Sequence, residues 1–175
     1  QGEGGVIMPP DGYLKGLREL CTKERVLLIA DEIQTGLCRT GEVFACDHEG
    51  VVPDMMLLGK SLGGGITPIS AVVGTRDVME VFTPGVHGST FGGNTFACAI
   101  AREVLRYIRE EKPHQHATQL GMQLRAALER VKGKKVVEIR GRGLMFGADI
   151  APEHGPAKKF CLALADKGVL CKDTR

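Results

Sequence analysis

The chain has 175 residues, 43% hydrophobic and 25% charged, which is the composition of an ordinary globular protein. Its net charge of +2 comes with no basic block and no acidic tail, so the charge indicates neither nucleic acid nor a membrane surface as a partner. No apolar run approaches the length of a membrane span, and Val26 to Ala30 is strand-sized. Six cysteines, at 21, 38, 46, 98, 161 and 171, form no C-x-x-C pair; reduced thiols in an intracellular protein fit this pattern better than a disulfide framework. The opening "QGEGGVIMPP" has no initiator Met, basic region or apolar leader, so the chain is expected to be a piece of a longer protein. Its compartment therefore stays open between cytosol and mitochondrial matrix.

In chain order, a Pro-Pro-Asp-Gly turn precedes a helix expected over Gly12 to Lys23, with Leu14, Leu17, Leu20 and Cys21 on one face. "VLLIA" (26–30) is continuously apolar and predicts a buried strand of the parallel type. "MMLL" (55–58) and "ISAVVG" (69–74) predict two further strands, and Asp77 to Phe82 a short helix. Asn94 to Glu111 carries Ala97, Ile100, Ala101, Val104, Leu105 and Ile108 on one stripe and predicts a long amphipathic helix. After Pro113 come a helix (Gln115 to Val131), a strand pair ("VVEIR" and "GLMFGADI"), and a helix from Pro156 to Lys167 stopped by Gly168. Alternating strands and helices give an α/β fold with a mostly parallel sheet over 1–112; 113–175 is expected to begin a smaller α+β domain with an antiparallel sheet.

Three polar features follow or separate the predicted strands of the first part: Asp31-Glu32 with Gln34, Lys60 in "LLGKSLGGG", and "HGSTFGGN" (87–94). In an open α/β sheet such ends converge on one crevice. A Walker-type nucleotide site fails on detail, because G-x-x-x-x-G-K-[ST] needs a glycine where this chain has Asp54, and the acidic strand comes first. Taken singly, Asp31 reads as a turn-capping carboxylate and Lys60 as a solvated strand-end charge. Taken as a set, an anionic Asp, an amine and phosphate-binding hydroxyls are what pyridoxal-phosphate catalysis requires. A desolvated lysine forms an imine with the cofactor aldehyde, and a carboxylate pairs with the protonated ring nitrogen. The freed lysine can then move a proton between substrate and cofactor carbons.

"IADEIQTGLCRTG", "PDMMLLGKSLGGG" and "HGSTFGGN", in this order and spacing, resemble the class III, fold-type I aminotransferases over essentially the whole chain. Within that family "QGEGGVIMPPDGYL", "PGVHGSTFGGN" and "GVLCKDT" most resemble the branch that uses ornithine. The resemblance implies transfer of the δ-amino group of ornithine to 2-oxoglutarate, with pyridoxal 5'-phosphate as cofactor. It implies that Asp31 is the pyridinium partner, Gln34 a contact to the cofactor's 3-oxygen and Lys60 the Schiff-base lysine. Ser89 and Thr90 would approach the phosphate of a neighbouring subunit, which makes a homodimer with shared sites the expected assembly. Glu3 matches the family's glutamate that tunes substrate recognition by pairing with an arginine. Arg175 does not sit in the expected arginine motif and receives no role.

Several positions depart from the family pattern: Gly4 for alanine, Ser61 for the alanine after the lysine, Cys38 for a smaller residue, and "NTF" (94–96) for Asn-Pro-Leu. None removes a catalytic group; Thr95 can still cap the long helix near its start. The alternatives are an acetylornithine or 4-aminobutyrate aminotransferase, a P-loop ATPase, and a truncated subunit without catalysis of its own. The chain alone is expected to be inactive. The histidines at 48, 87, 114, 116 and 154 show no metal-ligand spacing, and Arg39 and Arg142 read as solvated or ion-paired.

Overall fold

The computed structural model describes residues 1–174; Arg175 lies outside the described residues. Helix α1 (Tyr13–Glu24) starts after Gly12 and closes at Arg25 in a left-handed conformation. Strand β1 (Ile29–Asp31) pairs in parallel with β2 (Met55–Leu58), aligning Asp31 with Leu57, and β2 pairs antiparallel with β3 (Ala71–Gly74). The third strand reverses because residues 59–70 hold only a single 3-10 turn, Lys60–Gly63, and a parallel return needs a full crossover element. A short helix α2 (Arg76–Met79) follows.

The apolar run 26–30 behaves differently from its expectation. Only its last two residues enter β1, and Val26, Leu27 and Ile29 are more than half exposed, while Leu28 is buried. β1 is an edge of the three-stranded sheet, so parallel pairing supplies one neighbour and the described residues do not cover both faces.

Helix α3 (Thr95–Glu111) buries Ala97, Ala101 and Ile108. Its N-cap is Asn94, whose Oδ1 accepts the Ala97 amide at 3.0 Å; Thr95 is already inside the helix. Lys112, at φ 49°, is both the last cap of α3 and the first of α4 (Pro113–Glu129), which begins two residues earlier than expected because proline suits the first helical position. Strands β4 (Val136–Arg142) and β5 (Met145–Ile150) form the antiparallel pair, and α5 (Ala157–Ala165) runs into a turn at Gly168.

One core cluster joins Leu37, Cys38, Leu58, Leu62, Ala101 and Ile108; a second joins Cys21, Leu28, Cys46 and Val51. The first cluster seats the Lys60 turn on α3. Gly64, at φ 60°, packs so closely there that a Cβ would stand 3.1 Å from Val104 Cγ2. The glycines after Lys60 thus serve a left-handed turn and a helix contact. No helix among the described residues is long and apolar enough to cross a membrane.

Candidate active site

β1 and β2 run in parallel as neighbours, so their carboxyl ends lie side by side. Asp31 is the last residue of β1, and Lys60 stands two residues past the end of β2. Asp31 Oδ1 accepts the Ile33 amide at 3.1 Å, and Oδ2 has no protein partner among the described residues. Lys60 is exposed and held at φ 42°, in the left-handed region that side-chain-bearing residues avoid. Such strain persists only where surrounding structure imposes it, and it gathers at functional positions. The exposure of Lys60 also means that the described residues do not supply the desolvation expected of a neutral nucleophile.

The segment after β1 is anchored by Glu32, which the sequence marks beside Asp31 but to which it gives no role. Its side chain is buried; Oε1 accepts the Cys46 amide at 2.9 Å and Oε2 accepts the Thr35 hydroxyl. Burial, aided by the Glu32 carboxylate, pushes the Cys46 thiol up to about 12. Glu32 thereby fixes the turn carrying Gln34, whose Nε2 donates to Glu3 Oε1 at 3.2 Å. The second oxygen of Glu3 pairs with Lys172. The Lys172 hydrogen bond, then that of Gln34, holds the Glu3 carboxyl below the usual carboxylate range, and the Lys60 charge adds a smaller contribution. Among the described residues Glu3 is thus paired with a lysine, Lys172. The acid directly after a strand-end Asp is readable, but its burial is not, and nothing local marks Lys172.

Glu3, Gln34 and Lys60 are therefore gathered near the strand end that bears Asp31. Ser89 and Thr90 are not joined to them. They lie in an exposed loop whose hydrogen bonds are local: Val86 to Thr83, Gly92 to Ser89, Asn94 to Phe91. A cavity of about 100 Å³ among Ile7, Leu14, Ala45, His48 and Met145 contains neither Asp31 nor Lys60. The turn at Lys60 is 3-10 and leads into no α-helix, so it lacks the helix N-terminus on which a P-loop seats its phosphates.

The aminotransferase class-III family model matches residues 1–175. The chain belongs to the class-III aminotransferases. It is 51% identical over 174 residues to the ornithine aminotransferase of Bacillus cereus (strain Q1), covering 99% of this chain and 43% of that relative. Among solved structures it is similar to an ornithine aminotransferase from Toxoplasma gondii that has pyridoxal phosphate at partial occupancy in its active site. There the TM-score is 0.95 and the identity 52%, with 100% of this chain and 42% of that one covered. It is also similar to the acetylornithine aminotransferase of Elizabethkingia anophelis: TM-score 0.92, 45% identity, 99% of this chain and 44% of that one. This class-III aminotransferase chain thus spans less than half the length of the curated relatives it matches.

The residues present fit the cofactor of this family. A carboxylate with one oxygen free, an amine and a side-chain amide follow the neighbouring carboxyl ends of β1 and β2, which is the donor set that a protonated pyridine, an aldehyde and a phenolic oxygen call for.

Proposed function

We propose that the protein to which this chain belongs transfers the δ-amino group of ornithine to 2-oxoglutarate, giving glutamate 5-semialdehyde and glutamate. The observation that carries this reading is the placement of Asp31 and Lys60 at the carboxyl ends of two adjacent parallel strands, with the Glu3–Gln34 pair beside them. Pyridoxal phosphate, when bound, supplies an aldehyde for a lysine amine and a ring able to take up electrons from the substrate. Asp31 would offer its free oxygen to the ring nitrogen and keep that nitrogen protonated. Gln34, fixed by Glu3 and by the Glu32-anchored turn, would serve the 3-oxygen. Lys60 would hold the aldehyde end, and its Nζ, once free, would take the proton from the substrate carbon next to nitrogen. Glu3, anionic beside Lys172, sets the charge that meets the substrate.

Ser89 and Thr90 serve the phosphate of a second subunit in this reading. The support is their loop, which is exposed in one chain and flanked by exposed Phe82, Val86, Phe91 and Phe96, an apolar rim suited to a homodimer contact. The chain divides near 112, with 1–112 closing a cofactor-binding domain and 113–175 opening a smaller one; the left-handed Lys112 and the separate sheets on either side support this division. Six free cysteines fit an intracellular setting.

The test is steady-state transamination by the full-length protein. Turnover of ornithine with 2-oxoglutarate well above that of acetylornithine or 4-aminobutyrate is expected. A preference for acetylornithine would transfer the reading to that branch, to which the Elizabethkingia similarity already points.

A further inference from the structure

The turn that carries Glu3 is held from outside the candidate site. Arg140, near the end of β4 and with only 19% of its side chain exposed, donates from both terminal nitrogens to Asp149 at 2.6 and 2.7 Å. Its third donor, Nε, reaches the Gly5 carbonyl at 2.8 Å. Gly5 and Val6 in turn donate their amides to the Gly2 carbonyl, both at 3.0 Å, which closes the turn. Gly147 of β5 lies directly beneath: a Cβ there would stand 2.9 Å from the Gly5 oxygen. At its other end the turn meets Gln34 twice. Glu3 accepts the Gln34 amide, and Gly2 approaches so closely that a Cβ would fall 1.9 Å from Gln34 Oε1.

We propose that Arg140 is a positioning residue for the site: by fixing the Gly5 carbonyl it fixes the 2–6 turn, and through Gly2 and Glu3 the orientation of the Gln34 amide. The guanidinium is needed because three convergent donors must serve a bidentate carboxylate and a carbonyl at once, and an ammonium cannot span them. Asp149 aims the guanidinium, and Glu138 stands 3.4 Å from its Nη1, so two carboxylates offset its charge. The inference rests on the reading of Gln34 as a cofactor contact.

The experiment uses the full-length protein with Arg140→Lys, Gln34→Ala and the double variant. Two quantities are read: the side-chain amide resonance of Gln34 in the cofactor-free protein, and affinity for pyridoxal phosphate by its visible absorbance. Arg140→Lys is expected to shift the Gln34 resonance and to weaken cofactor affinity about tenfold, the scale for losing one charge-assisted hydrogen bond. In the Gln34→Ala background the same change is expected to cost under about twofold, because the relay has lost its end. Equal losses in both backgrounds, or an unmoved Gln34 resonance, would overturn the proposal. If Arg140→Lys does not fold, Gly147→Ala, which presses the turn from beneath, is carried through the same cycle under the same criteria. If the wild-type protein does not bind pyridoxal phosphate, the proposed function fails, and the Gln34 resonance still decides the role of Arg140.

Discussion

Gln34 and Glu3, thirty-one residues apart, share a hydrogen bond of 3.2 Å, and Lys172 closes on the far oxygen of the same carboxylate. The N-terminal turn, the loop after β1 and the segment after α5 therefore meet at one anion. The Lys172 hydrogen bond is the leading cause of Glu3's lowered pKa. A depressed carboxylate keeps its ion pair above its unfolded pKa and loses it as pH falls through the folded one. Lys172→Met is therefore expected to raise the pKa of Glu3, read by carboxyl-carbon NMR titration. An unchanged titration would remove Lys172 as the cause.

Lys60 at φ 42° separates chemistry from stability at one position. Lys60→Gly and Lys60→Ala both remove the amine and are expected to abolish borohydride trapping of pyridoxal phosphate by the full-length protein. The glycine variant should be the more stable of the two by about 1 kcal/mol, since only glycine occupies the left-handed region without a Cβ penalty. Urea midpoints measured side by side check this, and an alanine variant as stable as the glycine one would contradict it.

Gly121 of α4 meets Gly143, in the β4–β5 turn, backbone against backbone: a Cβ on Gly121 would stand 2.2 Å from the Gly143 carbonyl oxygen. Neither backbone can yield as a side-chain tip would, because a Cβ on Gly143 would itself fall 2.3 Å from the Thr40 carbonyl carbon. Gly121→Ala is expected to cost roughly 2–3 kcal/mol of stability, the range for overpacking a contact that cannot relax. Exposed Gly16 of α1, with nothing near its Cβ direction, is the control, and its alanine variant should gain stability.

Asp54 ties the sheet to α1. Its Oδ2 accepts the Leu28 amide and Arg18 Nη1, each at 2.7 Å. The Leu28 amide first, and then Arg18, hold its carboxyl below the usual range. The resulting stability is present above the unfolded pKa and is lost as pH falls through the folded one. Asp54→Asn is expected to flatten the acid limb of the stability curve and to cost about 1 kcal/mol at neutral pH, a figure lowered for partial exposure. Thermal melts from pH 7 to pH 3 give the comparison.

The helices were largely legible because their signal is local. The stripe ending at Ile108 and the proline at 113 mark α3 and α4 to within one or two residues. The order Asp31, Gln34, Lys60 was likewise readable, since strand ends and turn residues are marked by composition. The exposure of Val26, Leu27 and Ile29 was not, because an apolar run records the capacity to be buried and not what covers it. The capping of α3 by Asn94 turned on which of two adjacent polar residues adopts the non-helical conformation.

By itself, then, the sequence determined the helices, the family, and the amine, carboxylate and amide side chains from which a site is proposed. Each of these depends on neighbours a few residues away or on a motif read in order. Only the tertiary structure decided that Lys172 meets Glu3 and that Arg140 reaches the Gly5 carbonyl of the turn that carries Glu3. These contacts span 169 and 135 residues. No periodicity encodes such pairs, because they exist only once packing has brought distant segments of the chain together.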